Sequence, residues 1–302
     1  MTEYPITGTF IDEITYDIPS SNWTYSKWEK ELDYMCEVGI DTLVFIRGGF
    51  ENKMIFPSEN FESVREDDFL GFILEQAQIR NMKVFVGLYI SNITWNDGVY
   101  KTEIEKNELF VTEVLERYGD KKSLVGWYIP HETSRDIFNI TKVMDGLATL
   151  CKTKSPDKKV LISPFFPSIL TCNNEDVLQP EEFYNEWDGI FSKCSKNIDI
   201  CAFQDGSATL DTLEDYLKCT KELCEKYRIE HWANTETFER DVRNQFYPIP
   251  FDLLKKKLSI TQKYCTKEIT FEFSHFMSPQ SIYLSARNLN ECYKEYYEKR
   301  GK

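Results

Sequence analysis

The chain lacks most of the signals that would tie it to a metal, a membrane or a nucleotide. Its nine cysteines are odd in number and form no C-x-x-C pair or zinc-ligand spacing, so they read as reduced thiols packing as small hydrophobes. There are only three histidines, with no H-x-H or H-E-x-x-H, which argues against a metal and predicts no cofactor. No apolar run approaches the ~20 residues of a membrane span. The start, Met1-Thr2-Glu3-Tyr4-Pro5, has neither a basic n-region nor an apolar h-region; the expectation is a soluble cytoplasmic protein, or a secreted one if a leader has been removed. Nothing like G-x-G-x-x-G or a P-loop follows any apolar run, which excludes the usual dinucleotide and nucleotide cradles. Positive charge is the minority, 36 Lys and Arg against 50 Asp and Glu for a net charge of -14. Such a chain repels nucleic acid and anionic lipid at long range, so neither is expected as a partner, and a neutral ligand fits better.

What is present is a rhythm. Residues 8–14, 41–46, 83–89, 124–132, 159–166, 199–203, 232–236 and 268–273 are short β-rich runs. Between and after them, 27–38, 67–80, 103–118, 136–152, 181–191, 210–227, 251–264 and 281–298 carry apolar residues at helical spacing. Trp28, Leu32, Met35 and Cys36 exemplify the pattern, with Gly39 as a stop. Eight strand–helix units over 302 residues, without a linker or low-complexity tract, predict one (β/α)8 barrel domain spanning residues 1–302. An open doubly wound sheet shares the alternation.

In such a barrel the chemistry stands at the C-terminal ends of the strands. Those ends read Asp12 and Glu13, Arg47, Tyr89, His131 and Glu132, Phe165 and Phe166, Gln204 and Asp205, Glu236, and His275. Glu132 and Glu236 close the fourth and seventh runs, which lie across the mouth of an eight-stranded barrel. Two carboxyls facing each other over a gap can divide the work of glycoside hydrolysis, one protonating the leaving oxygen while the other attacks or activates water. The alternatives for each are to cap a helix or pair with Arg47, and Asp205 is a second candidate for the partner carboxylate. Asp12, Gln204 and Asn234 are candidate ligands of sugar hydroxyls. Trp23, Trp95 and Tyr100, on loops after the first and third strands, are candidates for stacking on pyranose faces. His131 and His275 could converge with Glu132 or Asp205 on a divalent ion, while His231 begins its strand and belongs to the opposite face.

Several segments carry a resemblance. Gly8-Thr9-Phe10-Ile11-Asp12, Gly39-Ile40-Asp41-Thr42, Gly126-Trp127-Tyr128 with His131-Glu132, Ala233-Asn234-Thr235-Glu236 and Phe273-Ser274-His275-Phe276-Met277-Ser278-Pro279 are similar to a bacterial family of glycoside-hydrolase-like TIM barrels catalogued as a domain of unknown function. More remotely, the strand-four and strand-seven acids resemble the clan A glycoside hydrolases. That resemblance implies a retaining glycosidase acting on an oligo- or polysaccharide, with Glu132 as acid/base, Glu236 as nucleophile and Arg47 beneath the nucleophile. The chain departs from the clan at two places. His131 stands where Asn usually precedes the acid/base, and His275 and Phe276 stand where a tryptophan often ends strand eight. A barrel that binds glycan without cleaving it, and a metal-assisted hydrolase, are the alternatives.

Overall fold

The structure, a computed structural model, describes residues 5–14, 20–63, 65–91, 99–168, 177–206, 208–241 and 245–299. Eight parallel strands close into a barrel: β1 (Ile6–Ile11), β2 (Thr42–Phe45), β3 (Lys83–Gly87), β4 (Leu124–Ile129), β5 (Lys159–Ile162), β6 (Ile200–Gln204), β7 (Glu230–Asn234) and β8 (Lys267–Thr270). Each strand pairs with its sequence neighbours, and β1 closes the ring on β2 through Gly8↔Thr42 to Ile11↔Phe45 and on β8 through Ile6↔Glu268 to Thr9↔Thr270. Around them lie α1 (Tyr25–Glu37), α2 (Phe69–Ile79), α3 (Val99–Tyr118), α4 (Ile140–Lys154), α5 (Pro180–Cys194), α6 (Leu210–Tyr227), α7 (Phe251–Thr261) and α8 (Leu284–Glu298). The predicted (β/α)8 barrel is the observed fold.

The nearly continuous apolar strands are buried on both faces, as parallel strands under helices must be. Side chains alternate across a strand, and the two sets separate cleanly. Phe10, Val44, Phe85, Tyr128, Leu161, Ala202, Trp232 and Ile269 fill the barrel interior. Their neighbours Ile11, Phe45, Val86, Trp127, Ile162, Phe203 and Ala233 join the larger layer between strands and helices. Trp28, Leu32 and Met35 are the buried stripe of α1. The chain leaves that helix through Gly39 at φ +85°, with no room for a Cβ beside Tyr297.

Several predicted boundaries move by a few residues, two of them for a visible reason. The fourth strand ends at Ile129 rather than Glu132 because Pro130 has no N–H to continue the ladder. Helix α4 starts at Ile140 rather than 136, since Phe138 and Asn139 adopt left-handed backbone, φ 52° and 57°. Two small sheets add to the strand ends. One joins Gly49–Phe50, Lys53–Met54 and Tyr89–Ile90; the other is a hairpin of Phe238–Arg240 with Phe246–Pro248 after β7. Among the described residues no helix is long and apolar enough to cross a membrane.

Candidate active site

A cavity of about 210 Å3 opens where the strands end. Strand ends supply Phe10 and Asp12 from β1, Ile46 and Arg47 from β2, Glu132 beyond β4, Gln204 from β6, Asn234 and Glu236 from β7, and Phe271 beyond β8. The hairpin after β7 adds Phe238, Arg240 and Phe246. Six predicted residues therefore meet in one place: Asp12, Arg47, Glu132, Gln204, Asn234 and Glu236.

The two glutamates sit in different surroundings. Glu132 is half-buried, and its Oε1 accepts a 2.8 Å hydrogen bond from the Tyr128 hydroxyl inside the barrel. Burial pushes its carboxyl above the usual range, while the hydrogen bonds from Tyr128 and Gln204 and the Arg47 charge pull it back. Gln204 is itself held by a 2.7 Å bond from Nε2 to the Ser163 carbonyl. Asn234 Nδ2 donates to Ser163 Oγ at 3.1 Å, so one serine braces two lining amides.

Glu236 is 3% exposed, and its carboxyl lies against Gly206, where any Cβ would collide with Oε2. Its main chain is clamped from below. Asp205 Oδ1 accepts from the Glu236 N–H at 2.9 Å, and Lys257 Nζ, on α7, donates to the same Oδ1 at 2.9 Å and to the Glu236 carbonyl at 3.4 Å. Burial first, and then the Asp205 charge, lift the Glu236 carboxyl to about 8 against the pull of Lys257 and Arg240. Glu132 adds to the lift, so its charge is felt at Glu236. Glu236 Oε2 is buried without a hydrogen-bond partner, a costly state for an ionised oxygen and a tolerable one for a carboxyl that keeps its proton.

The other predicted ligands are elsewhere, and the pleat explains one of them. Adjacent extended residues face opposite ways, so a strand end can deliver one of Gln204 and Asp205, while past β4 a tight turn, Glu132 N–H to the Pro130 carbonyl at 3.0 Å, separates His131 from Glu132. His131 turns outward, buried, with Nε2 at 2.9 Å from Glu103 Oε1 on α3. Asp205 turns outward to Lys257. Tyr89 belongs to the small three-stranded sheet, its hydroxyl on the Glu51 carbonyl at 3.1 Å and its ring stacked on Phe61. His275 is carried off by a one-turn helix, Phe273–Phe276, and pairs through Nδ1 with Glu272 Oε1 at 2.6 Å. The eighth strand stops at Thr270, and Phe271 fills the position at the mouth assigned from sequence to His275 and Phe276. Trp23 packs on Trp28 with Lys27 over its ring, and Tyr100 is partly buried under Lys142. Trp95 lies outside the described residues.

The two histidines offered for a metal are thus committed to separate carboxylates. Among the described residues no three His, Cys, Asp or Glu side chains gather as a metal site. The eight described cysteines are free, five of them buried in the core. Sequence reasoning missed the hairpin with Phe238, Arg240 and Phe246, and missed Lys257. The hairpin strands have only three residues each, too short for a period to register. Lys257 sits among charged neighbours in 255-KKK-257, where nothing distinguishes the buried one.

Comparison with known proteins gives the following. A family model described as Domain of unknown function (DUF4434) matches residues 6–283. No curated protein matches. A crystal structure of a candidate alpha-L-fucosidase from Bacteroides thetaiotaomicron is 38% identical, covering 98% of this chain and 94% of that one with a TM-score of 0.93. An intracellular xylanase from Thermoanaerobacterium saccharolyticum is 14% identical over 89% of this chain and 85% of that one, TM-score 0.56. A beta-glucosidase from Thermotoga maritima is 10% identical over 99% of each chain, TM-score 0.58. The last two share the fold.

Proposed function

We propose, from the premise that this chain belongs to the DUF4434 family, that it is a retaining glycoside hydrolase in which Glu132 and Glu236 act as a pair. The observation that carries the reading is that these two carboxyls line one sugar-sized cavity with Asp12, Arg47, Gln204 and Asn234, groups suited to binding hydroxyls. The 38% identical candidate alpha-L-fucosidase supports it and makes alpha-L-fucosides a first substrate to try.

Strand position gives Glu132 the acid/base role and Glu236 the nucleophilic one. The pair does this work when it holds one proton in total, since the leaving oxygen needs a donor and the anomeric carbon needs a carboxylate. Burial lifts both carboxyls; the Asp205 charge adds to the lift at Glu236, while Tyr128, Gln204 and Arg47 oppose it at Glu132, a difference that favours the proton on Glu236 in the ligand-free site. Substrate entering between them must shift that proton toward Glu132 for the assigned roles to hold. A second reading, favoured by this same electrostatic difference, exchanges the roles.

The test is a set of 2-deoxy-2-fluoro glycosides with good leaving groups, followed by peptide mapping of the trapped ester. Label on Glu236 supports the assignment, and label on Glu132 supports the exchange. Turnover of the parent glycosides with an inverted product and no trapped ester sinks the retaining mechanism. Binding of sugars without turnover of any glycoside sinks the hydrolase reading in favour of a glycan-binding barrel.

A further inference from the structure

Arg240 brings a charge to the cavity without pairing it to a described carboxylate. It stands on the hairpin after β7, opposite Phe246 in register, and its half-buried guanidinium lines the cavity. The cation lies 5.0 Å from the Phe246 ring centroid and 5.9 Å from that of Phe238, and these rings are 4.5 Å apart. Phe238 is anchored in turn on Phe271 and Phe276 beyond β8. Aromatic faces hold a guanidinium by cation–π attraction and leave its N–H edge unused. Among the described residues Arg240 Nε is buried without a hydrogen-bond partner, and Arg240 forms no ion pair with a described carboxylate. Buried donors are costly when left unmade, so a guanidinium held against two rings, with a buried N–H unpartnered among the described residues, in a ligand-sized cavity calls for an acceptor on the ligand.

We infer that Arg240 is a specificity residue that receives an anionic substituent, a carboxylate or a sulfate ester, on the sugar bound in this cavity. A planar fork of N–H donors matches both groups in two-point contact, which a hydroxyl cannot reproduce. The expectation of a neutral ligand came from the net charge of -14, but the cavity wall sets two guanidiniums, Arg47 and Arg240, beside the carboxyls of Asp12, Glu132 and Glu236, and Arg240 stands on the hairpin rather than at a strand end. Glu236, retaining its proton up to about pH 8, contributes little repulsion near neutrality. The inference borrows only the sugar from the hydrolase reading; it requires binding and no bond cleavage.

The experiment is calorimetric titration of the full chain with methyl glycosides of galactose, glucose and L-fucose, with the hexuronates of the first two, and with O-sulfated forms of all three. At least one anionic form is expected to bind about tenfold or more tightly than its neutral parent. Tightest binding of a hexuronate identifies the carboxylate, and of a sulfated sugar the ester. Arg240→Gln should erase the preference, bringing the affinities for the anionic form and its neutral parent within about twofold of each other. Arg240→Lys, which keeps the charge and loses the fork, should retain only part of it and guards against a misfolded Gln variant. Equal affinity for anionic and neutral forms, a preference that survives Arg240→Gln, or no saturable binding of any anionic sugar overturns the inference. A shifted pH profile with no change in preference does the same, since Arg240 would then serve only to tune Glu236. Preference without turnover leaves the inference standing and removes the hydrolase reading; turnover of neutral glycosides with no preference does the reverse.

Discussion

Glu132 and Glu236 are the same residue at equivalent ends of two barrel strands, yet the protein surrounds them differently. Burial lifts both, but at half-buried Glu132 the lift is opposed by groups that favour its charge: a tyrosine hydroxyl, a glutamine and an arginine. Glu236 is sealed, with an aspartate below it, a glycine against it and one oxygen unpartnered. The difference teaches that strand position delivers a carboxyl to the mouth, and that ionisation is then decided by what lies within a few ångströms.

The comparison can be broken most forcefully by neutralising its members. Glu236→Gln and Glu132→Gln are each expected to lower kcat by about 10^3-fold or more on a turned-over glycoside, with the fold intact. A loss below about tenfold for either would remove it from the reacting pair. Next is the clamp beneath Glu236. Lys257→Met leaves Asp205 buried without its cation, and should cost about 3–5 kcal/mol in denaturant unfolding while driving the Glu236 carboxyl further up. An undisturbed melt would mean that Asp205 is held by other groups.

The pH dependence sharpens the contrast. Glu236 is raised in the folded state, to about 8 from 4.5, so the native chain binds more protons than the unfolded chain between those values. Stability from this group is therefore lost progressively as pH rises from about 4.5 through about 8. Glu236→Gln should remove that loss, making the variant more stable than the parent by roughly 2–4 kcal/mol at pH 9 and much closer to it at pH 4. Activity should fall over the same alkaline limb as the pair loses its last proton. A parent chain whose stability does not fall across this interval would show that Glu236 ionises at ordinary pH. The smallest effect is expected at Tyr128→Phe. Removing the hydroxyl takes a donor from charged Glu132, raising its carboxyl further, at a cost in stability of about 1 kcal/mol. Carbon-detected NMR titration of the carboxyls checks it, and an unchanged Glu132 would give the tyrosine a packing role alone.

Parity marks how far the sequence could be read. The strand ends were legible because β-rich runs stop at polar residues, and this was enough to find Asp12, Arg47, Glu132, Gln204, Asn234 and Glu236. It did not distinguish Glu132 from His131 or Gln204 from Asp205, since both members of each pair sit at the same strand end. For Gln204 and Asp205 the facing depends on the phase of the pleat, which is fixed by pairing with neighbouring strands; for Glu132 and His131 it depends on the tight turn after Pro130. The Tyr89 and His275 expectations failed for another reason. A short sheet and a single helical turn redirect the chain just past the strands, and neither is long enough to leave a periodic signal.

By itself, the sequence determined the barrel, its eight units, and the strand ends that carry acids, because burial on two faces and helical amphipathicity are written in local residue patterns. Only the tertiary structure decided which of those side chains share a cavity, that Lys257 and Asp205 grip Glu236 from behind, and that a three-residue strand brings Arg240 to the mouth. These contacts join residues far apart in the chain, as when α7 meets the ends of β6 and β7. Their energies depend on distance and burial that no local pattern encodes.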